Sequence, residues 1–345
     1  QNLSDFQIGD VLEEIQYYDR LGRQIQMVNT QESPGMLDLV SSIQYNKVGK
    51  DLVKYLPYES NENNGLYKTN TIAGGVEVTK DGIIIKSQSY LTSKQYLFYN
   101  ENPDIAIAQD NSPFSATVPE LSPLAKLVQQ GFPGEVWQPN NLNPDNNKTI
   151  KYNYRTNGAN EVVLWTYDYP DGTLTNEFGT VTHSFYSFEN NEGQLFVTET
   201  KDEHGNLVIE YKDKQDQVIL KKVQSRDDLT IDPASHNNFA CTYYVYDDFG
   251  NLRFVFPPAM VEEIKGTWNV TNDDLNRWAF QYDYDGRQRM IKKKVPGAEA
   301  VYMVYDERDR LVLTQDGNFR AASGGKKWLF TKYDVFNRPV MTGII

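Results

Sequence analysis

Eight short stretches of the chain repeat one pattern: a Tyr-Asp pair, two variable positions, a residue that is usually Gly, Asn or Asp, and then usually Arg. A recurring unit indicates an architecture built from similar copies, and it constrains the fold more than any single residue does. Weaker copies begin at Tyr45, Asp202 and Asp213. The clear copies place their defining residues at Tyr18, Asp19, Gly22 and Arg23; at Tyr246, Asp247 and Gly250; at Tyr284, Asp285 and Arg289; at Tyr305, Asp306 and Arg310; and at Tyr333, Asp334 and Arg338.

Each copy has the composition of a turn between two strands. Residues 241–246 and 252–256 flank one copy and are rich in aromatic and β-branched side chains, which is typical of strands. Asp suits the start of the turn, because its carboxylate accepts a bond from the backbone two residues on. The fourth turn residue should be left-handed, which Gly, Asn and Asp tolerate best. Gln288 and Asp216 at that position predict distorted turns, and the Tyr and Arg are expected to stack or pair across each hairpin.

The copies must associate with one another to be stable. A lone two-stranded hairpin is marginally stable in water, and joining hairpins edge to edge covers their open edges. We therefore predict an all-β fold in which these hairpins form a large curved or spiralling antiparallel sheet, with a few short helices. Helices are predicted over residues 122–130, 259–265 and 272–279, the last capped by Thr271 with Asp274.

The repeat pattern divides the chain into four segments. Residues 1–58 hold two copies, and residues 59–150 are either an insertion or diverged strands. Residues 151–240 are strands with weak repeats, and residues 241–345 form the densest array. The last residues still have strand composition, which predicts that the array continues beyond Ile345.

Composition limits the partners of this chain. The net charge of −13 argues against nucleic acid and against an anionic membrane surface, both of which attract basic proteins. No run of eighteen apolar residues is present, so no membrane-spanning helix is predicted. The single cysteine, Cys241, cannot form an intramolecular disulfide, and its apolar strand predicts a buried, unreactive thiol.

The repeat resembles the YD repeat of Rhs (rearrangement hotspot) proteins, which has relatives in insecticidal toxin-complex proteins and teneurins. Longer stretches resemble the Bacteroidetes-type Rhs branch, namely residues 16–23, 54–58, 122–134, 246–253 and 301–318. The resemblance implies a secreted or cell-surface bacterial protein whose β-sheet forms a hollow shell around a C-terminal, toxin-like domain. The implied partners are a downstream Rhs core, with its Asp-Pro cleavage site, and that C-terminal domain of the same chain. Asp232-Pro233 lacks the surrounding core pattern and is interpreted as a loop.

Residues that carry chemistry are sparse. The three histidines, His183, His204 and His236, show no spacing of a helical zinc site, and Asp232 with Ser235 and His236 gives only a fragment of a catalytic triad. We therefore predict no enzymatic activity, no cofactor and no metal, although the Asp-rich segments at 145–147 and 171–172 are weak candidates for calcium loops. An alternative function is binding of cell-surface glycans by aromatic platforms built from Trp137, Trp165, Trp268, Trp278 and Trp328.

Overall fold

The computed structural model describes residues 12–79, 81–103, 106–139, 147–170, 176–186, 193–226, 232–323 and 326–345. Strands dominate this part of the chain, and the four α-helices are short. The helices are α1 (Lys94–Asn100), α2 (Pro258–Ile264), α3 (Asn272–Trp278) and α4 (Gly317–Arg320), with single 3₁₀ turns at Tyr90–Thr92 and Glu135–Trp137. None of the described helices is long and apolar enough to cross a membrane.

The chain folds as two compact units. One comprises Gln1–Asn153 with Thr200–Asn206, and the other comprises Tyr154–Glu199 with Leu207–Ile345. The first ten strands are β1 (Glu13–Tyr18), β2 (Gln24–Thr30), β3 (Leu39–Gln44), β4 (Val53–Tyr55), β5 (Tyr58–Glu59), β6 (Val76–Val78), β7 (Ile84–Lys86), β8 (Phe114–Pro119), β9 (Leu127–Gly131) and β10 (Ile150–Thr156). The later strands are β11 (Val163–Asp168), β12 (Thr180–Phe185), β13 (Phe196–Lys201), β14 (Leu207–Lys212), β15 (Val218–Gln224), β16 (Phe239–Tyr246), β17 (Leu252–Phe256), β18 (Phe280–Tyr284), β19 (Met290–Lys294), β20 (Val301–Tyr305), β21 (Leu311–Gln315), β22 (Leu329–Tyr333) and β23 (Pro339–Ile344).

Nineteen of these strands belong to one antiparallel sheet. The others form two small sheets, β6 with β7 and β11 with β12. Along β14 to β23 each strand pairs with the next strand in the sequence. The prediction of an all-β fold with a large antiparallel sheet and few short helices is therefore confirmed.

The alternation of buried and exposed residues along the strands shows which side chains form the cores. In β16, Phe239, Cys241, Tyr243 and Val245 are buried, while the residues between them are partly exposed. They belong to the main core of the second unit, on which α2 and α3 pack through Met260 and other apolar side chains. Because β-strand side chains alternate between the two faces, burying every second residue puts one face of β16 in that core. The first unit has two smaller cores, around Tyr55, Tyr90 and Phe114 and around Val28, Val40 and Tyr58.

Two of the three predicted helices are observed, and the prediction of the third is wrong. Helices α2 and α3 are present, and Thr271 and Asp274 form the predicted capping box. Residues 122–130 do not form a helix: a turn leads into strand β9, which pairs with β8 and β10. Pro123 and Gly131 have the positions of helix start and stop signals, but the backbone at Ala125 is left-handed (φ 46°). The backbone groups of β9 instead form their hydrogen bonds with the neighbouring strands β8 and β10.

Candidate functional site: the interlocked turns

All eight repeat copies form the same turn. We number the turn from its Asp, so that Asp19 is position one, Gly22 position four and Arg23 position five. The Asp19 N–H donates to the Arg23 carbonyl (2.8 Å), and the Gly22 N–H donates to the Asp19 carbonyl (3.0 Å). The carboxylate oxygen Oδ1 of Asp19 accepts from the N–H groups of Leu21 (2.8 Å) and Arg23 (2.9 Å). The same four bonds recur in the turns that begin at Asn46, Asp202, Asp213, Asp247, Asp285, Asp306 and Asp334.

Position four is left-handed whatever residue fills it. The angle φ is 74° at Gly22 and 79° at Gly250, and it is 60° at Gln288 and 65° at Asp216. The predicted distortion of the turns at Gln288 and Asp216 is therefore wrong. The strand register shifts by one residue at these two turns, as it does at Tyr18. The fixed hydrogen-bond pattern of the bulge determines the backbone conformation at position four. A non-glycine residue in this left-handed conformation destabilises the fold by about 1–2 kcal/mol.

The Asp and Arg of one copy form an ion pair inside their own turn. Arg289 Nε lies 2.7 Å from Asp285 Oδ2, and Arg310 Nε lies 2.8 Å from Asp306 Oδ2. These hydrogen bonds from the arginine side chains lower the pKa of Asp285 and of Asp306 below the ordinary aspartate range. The equivalent pairs are Arg23 with Asp19 and Arg338 with Asp334.

The arginine stacks on the tyrosine of the next copy rather than on its own. The guanidinium of Arg289 lies over the ring of Tyr305, 4.9 Å from its centroid, and also donates to the Asp306 carbonyl (3.2 Å). Arg310 lies over Tyr333 in the same way and donates to the Asp334 carbonyl (3.2 Å). In the first unit Arg23 lies 4.5 Å from the ring centroid of Tyr45. The expected stacking within a hairpin is thus replaced by stacking between successive hairpins.

The tyrosine hydroxyl makes a second link between successive hairpins in four places. We call the boundary between the second strand of one hairpin and the first strand of the next a seam. Tyr305 donates to the Met290 carbonyl (2.9 Å), and Tyr333 donates to the Leu311 carbonyl (2.9 Å). Each acceptor directly follows position five of the preceding copy. The same bond joins Tyr45 to the Gln24 carbonyl and Tyr246 to the Val218 carbonyl.

One seam uses an arginine that the repeat pattern does not contain. Position five of the copy at Asp247 is Asn251, and Arg253, two residues later, takes the missing role. Its guanidinium pairs with Asp247 (2.7 Å) and Asp283 (2.6 Å) and lies over the ring of Tyr284. The side chain of Arg253 is only 6% exposed. Sequence reasoning missed this residue, although an arginine on a strand of otherwise apolar residues was a signal.

Two predicted turn residues have different surroundings. Tyr18 is 57% exposed, and its hydroxyl donates to Gln16 rather than to a backbone carbonyl across a seam. Arg338 is 72% exposed and contacts its own Asp334 and the ring of its own Phe336. The other predicted turn residues lie in the turns or seams described above.

A buried polar cluster in the second unit lies outside the repeats. The Lys222 ammonium donates to three successive carbonyls, those of Pro233 (3.1 Å), Ala234 (3.1 Å) and Ser235 (3.2 Å). Burial lowers the pKa of Lys222 to about 8. Lys222 thus holds the backbone after Asp232 in place, and Asp232-Pro233 is a loop as predicted.

His236 and Cys241 lie beside this loop, and both are largely buried from solvent. His236 Nε2 lies 2.6 Å from the Tyr243 hydroxyl, and the two rings are stacked. Burial lowers the pKa of His236 to about 3 and raises the pKa of the Cys241 thiol to about 11. At neutral pH these shifts favour a neutral imidazole, bonded to the Tyr243 hydroxyl, and a protonated thiol. Asp232, Ser235 and His236 do not form the triad fragment in the structure, because His236 bonds to Tyr243 instead.

Among the residues that the structure describes, the other candidates considered for chemistry are not brought together into one site. Within the described ranges no three His, Cys, Asp or Glu residues are grouped as metal ligands. Residues 145, 146, 171 and 172 of the candidate calcium loops lie outside the described residues. His204 is an exposed turn residue, and the His183 ring packs against Trp165. The five tryptophans are buried or half-buried, so they form no exposed row.

Comparison with known proteins agrees with this architecture. The family described as "Domain of unknown function (DUF6443)" matches residues 1–156. No curated protein matches the chain. The crystal structure of TcdB2-TccC3-TEV aligns with 96% of this chain at a TM-score of 0.54 and 11% identity. The fold is similar to part of that structure.

A second solved structure gives the same picture. The Photorhabdus luminescens Tc holotoxin pore aligns with 96% of this chain at a TM-score of 0.53 and 11% identity. The chain covers 12% of the length of the matched chain in each structure. At this identity the likeness establishes the fold, which agrees with the expected similarity to toxin-complex proteins.

Proposed function

We propose that this chain is a structural segment of a secreted or cell-surface bacterial protein of the Rhs type. In this proposal its sheet forms part of a β-sheet wall that encloses or presents a C-terminal, toxin-like domain of the same polypeptide. The observation that carries the proposal is the network of turns. Eight turns share one hydrogen-bond pattern, and Arg23, Arg289 and Arg310 each stack on the tyrosine of the next copy. Side chains used in this way maintain the shape of the array.

Two further observations support a structural role. The large antiparallel sheet is similar to part of TcdB2-TccC3, and the repeat resembles that of Rhs and toxin-complex proteins. Lys222 and His236, whose pKa values are strongly shifted, are hydrogen-bonded to backbone carbonyls and to a buried tyrosine. Perturbed groups of this kind also occur in structural networks.

The proposal is tested on the natural polypeptide. The coding region should continue into an Rhs core followed by a variable C-terminal domain. In limited proteolysis of the native protein, that domain should resist cleavage. It should become sensitive when Arg253, Arg289 and Arg310 are replaced by alanine, because those substitutions weaken three seams. A downstream domain that is cleaved equally fast in both proteins would contradict the enclosing role.

A glycan-binding function is the second candidate, and one pocket favours it. A concavity of about 560 Å³ in the second unit combines aromatic side chains with carboxylates and amides. Its lining includes Trp165, Tyr244, Phe249, Gln217 and Asp248. Rings beside hydrogen-bonding groups suit a sugar, whose faces are apolar and whose edges are polar.

Titration with bacterial and host oligosaccharides, followed by tryptophan fluorescence, tests this candidate. Saturable binding that is lost in Phe249→Ala, and retained in a matched exposed-aromatic variant, Phe336→Ala, would support it. Absence of a response to every sugar would count against it.

A further inference from the structure

Lys68 is a fully buried cation that lies outside the repeat turns. Its side chain has no exposed surface, and neither has the side chain of Asp38, whose Oδ2 lies 2.8 Å from the Lys68 ammonium. The backbone of Lys68 is bonded to the side-chain amide of Gln26 on β2, which accepts from its N–H (2.7 Å) and donates to its carbonyl (2.9 Å). These contacts fix the amine in the interior of the first unit, where a lysine is rarely found.

The Lys68 amine lies against the side-chain amide of Asn64. Nζ of Lys68 is 2.6 Å from Oδ1 of Asn64, and the same Oδ1 accepts from the Leu66 N–H (3.1 Å). An amide C=O bond measures about 1.23 Å, so the amide carbon Cγ of Asn64 lies no more than about 3.8 Å from Nζ. Reacting atoms held about 3–3.5 Å apart are placed for bond formation. The structure therefore brings a nucleophile beside an acyl carbon.

A second carboxylate touches both of these side chains. Glu62 Oε2 lies 3.3 Å from Nζ of Lys68 and accepts from Nδ2 of Asn64 (3.4 Å). The hydrogen bond from Lys68 lowers the pKa of the Glu62 carboxyl, which is therefore ionised and able to accept a proton. A single oxygen that reaches both nitrogens can take a proton from the amine and return it to the amide nitrogen.

We propose that Lys68 and Asn64 are joined by an isopeptide bond that forms within the folded chain. The Lys68 ammonium transfers a proton to a neighbouring carboxylate, and the neutral amine attacks Cγ of Asn64. The Leu66 N–H donates to Oδ1, where negative charge develops. The new C–N bond forms, the Cγ–Nδ2 bond breaks, and Glu62 passes protons to the departing nitrogen. Two of the three ammonium protons end on that nitrogen, which leaves as an ammonium ion, so the reaction needs no oxidant or reductant.

Burial favours the reactive form of the amine. In a site shielded from solvent, separate charges on Lys68 and Asp38 are costly, so proton transfer between them is less unfavourable than it is at the surface. Asn64 itself is exposed, which lets the released ammonia escape. The more exposed pair Lys294 and Asn276 has the same 2.6 Å contact, but Lys294 has no ion-pair partner among the described residues. That pair lacks a proton acceptor and provides an internal comparison.

The bond would close a segment that is packed on the start of β3. The Asp38 N–H donates to the Glu62 carbonyl (2.9 Å), and the Gly65 N–H donates to the Asp38 carboxylate (2.9 Å). With one cysteine the chain cannot form an intramolecular disulfide, and an isopeptide bond supplies covalent closure that reducing agents do not break. The bond is independent of the proposed structural role, so either can fail without the other.

Mass spectrometry of the purified 345-residue chain tests the bond. The intact mass should be lower than the mass calculated from the sequence by one ammonia. Because trypsin does not cut after an acylated lysine, digestion should give residues 55–80 as one peptide, whose fragments show Asn64 linked to Lys68. Separate peptides 55–68 and 69–80 would overturn the proposal, whether Asn64 is intact, hydrolysed to aspartate or cyclised with the Gly65 nitrogen.

Matched variants test the roles of the individual groups, with linking followed by intact mass after a short pulse of synthesis. Lys68→Arg should show the mass calculated from its sequence. Glu62→Gln changes an exposed side chain of the same shape and should slow linking by about 100-fold, because general acid–base catalysis contributes about 10²–10⁴-fold. The control Glu77→Gln removes another exposed carboxylate, for which the structure shows no contact with Lys68, and should link at the rate of the wild type.

Two results would overturn the role of the carboxylates. One is linking at equal rates in Glu62→Gln and Glu77→Gln. The other is loss of ammonia between Lys294 and Asn276 in the wild type, because that pair has the short contact without a neighbouring carboxylate.

Discussion

The ring of Tyr333 lies beneath the guanidinium of Arg310, which belongs to the preceding turn, with 5.1 Å between the guanidinium carbon and the ring centroid. The Tyr333 hydroxyl also donates to the carbonyl of Leu311, the residue after that arginine. Both contacts cross a seam. The repeat motif therefore stabilises the joint between hairpins, which is the part of an array that a single hairpin cannot supply.

Loss of Arg253 should destabilise the second unit strongly. Arg253→Ala leaves Asp247, whose side chain is fully buried, without its ion-pair partner. Removing one member of a buried pair costs about 3–5 kcal/mol. We expect the free energy of unfolding in urea to fall by that amount, whereas the exposed-arginine control Arg308→Ala should change it by less than about 0.5 kcal/mol. Similar results for the two variants would show that Arg253 does not support the seam.

Glycine at position four should relieve a strained turn. Gln288 is exposed and left-handed (φ 60°), so Gln288→Gly removes a backbone cost of about 1–2 kcal/mol. Glycine also increases the entropy of the unfolded chain, which costs about 0.5–1 kcal/mol. The control Glu307→Gly, at an exposed turn position without positive φ, gives only the second effect. Thermal unfolding should rank Gln288→Gly as the more stable protein, and the reverse order would be inconsistent with a strained position four.

His236 should make stability fall in acid. Burial lowers its pKa to about 3, whereas the unfolded chain titrates near pH 6.5. Between these values the unfolded state binds one more proton, so the free energy of unfolding decreases as pH falls, by at most about 1.4 kcal/mol per pH unit from this group. In His236→Gln this part of the dependence should disappear, and in the exposed control His204→Gln it should remain. If the free energy of unfolding changes with pH equally in the wild type and in His236→Gln between pH 6 and pH 4, a buried, neutral His236 is contradicted.

Lys222 should give a pH dependence of the same sign in alkali, where stability rises with pH. Its pKa is lowered to about 8, while an unfolded lysine titrates near pH 10.4. Between these values the native state has lost a proton that the unfolded state keeps, so Lys222 increases the free energy of unfolding as pH rises. The difference in stability between the wild type and Lys222→Met should therefore shift in favour of the wild type from about pH 8 to pH 10. A difference that stays constant with pH would mean that Lys222 is not desolvated in the fold.

Local chemistry made the turns predictable. Five residues determine each turn, since the carboxylate at Asp285 bonds to backbone within four positions. The capped start of α3 at Thr271 was predictable for the same reason. Predictions from local signals were wrong where strand pairing determines the structure. The helix predicted from Pro123 is one example, because β9 forms its hydrogen bonds with β8 and β10.

Contacts across seams could not be read from the sequence. Sixteen positions separate Arg289 from Tyr305 and twenty-three separate Arg310 from Tyr333, so no fixed spacing marks the pair. Arg253 contacts Asp283 thirty positions away, and His236 contacts Tyr243 only because the loop turns back on its strand. Such contacts depend on the register of strands, which the structure supplies.

A double-mutant cycle between Arg310 and Tyr333 tests the interlocking of successive turns most directly. The free energy of unfolding is measured for the wild type, Arg310→Ala, Tyr333→Leu and the double variant. Because the two side chains stack across a seam, we predict a coupling energy of about 0.5–1 kcal/mol, with the double variant less destabilised than the sum of the single variants. A coupling energy of zero within error would contradict the conclusion that the repeat residues join one hairpin to the next.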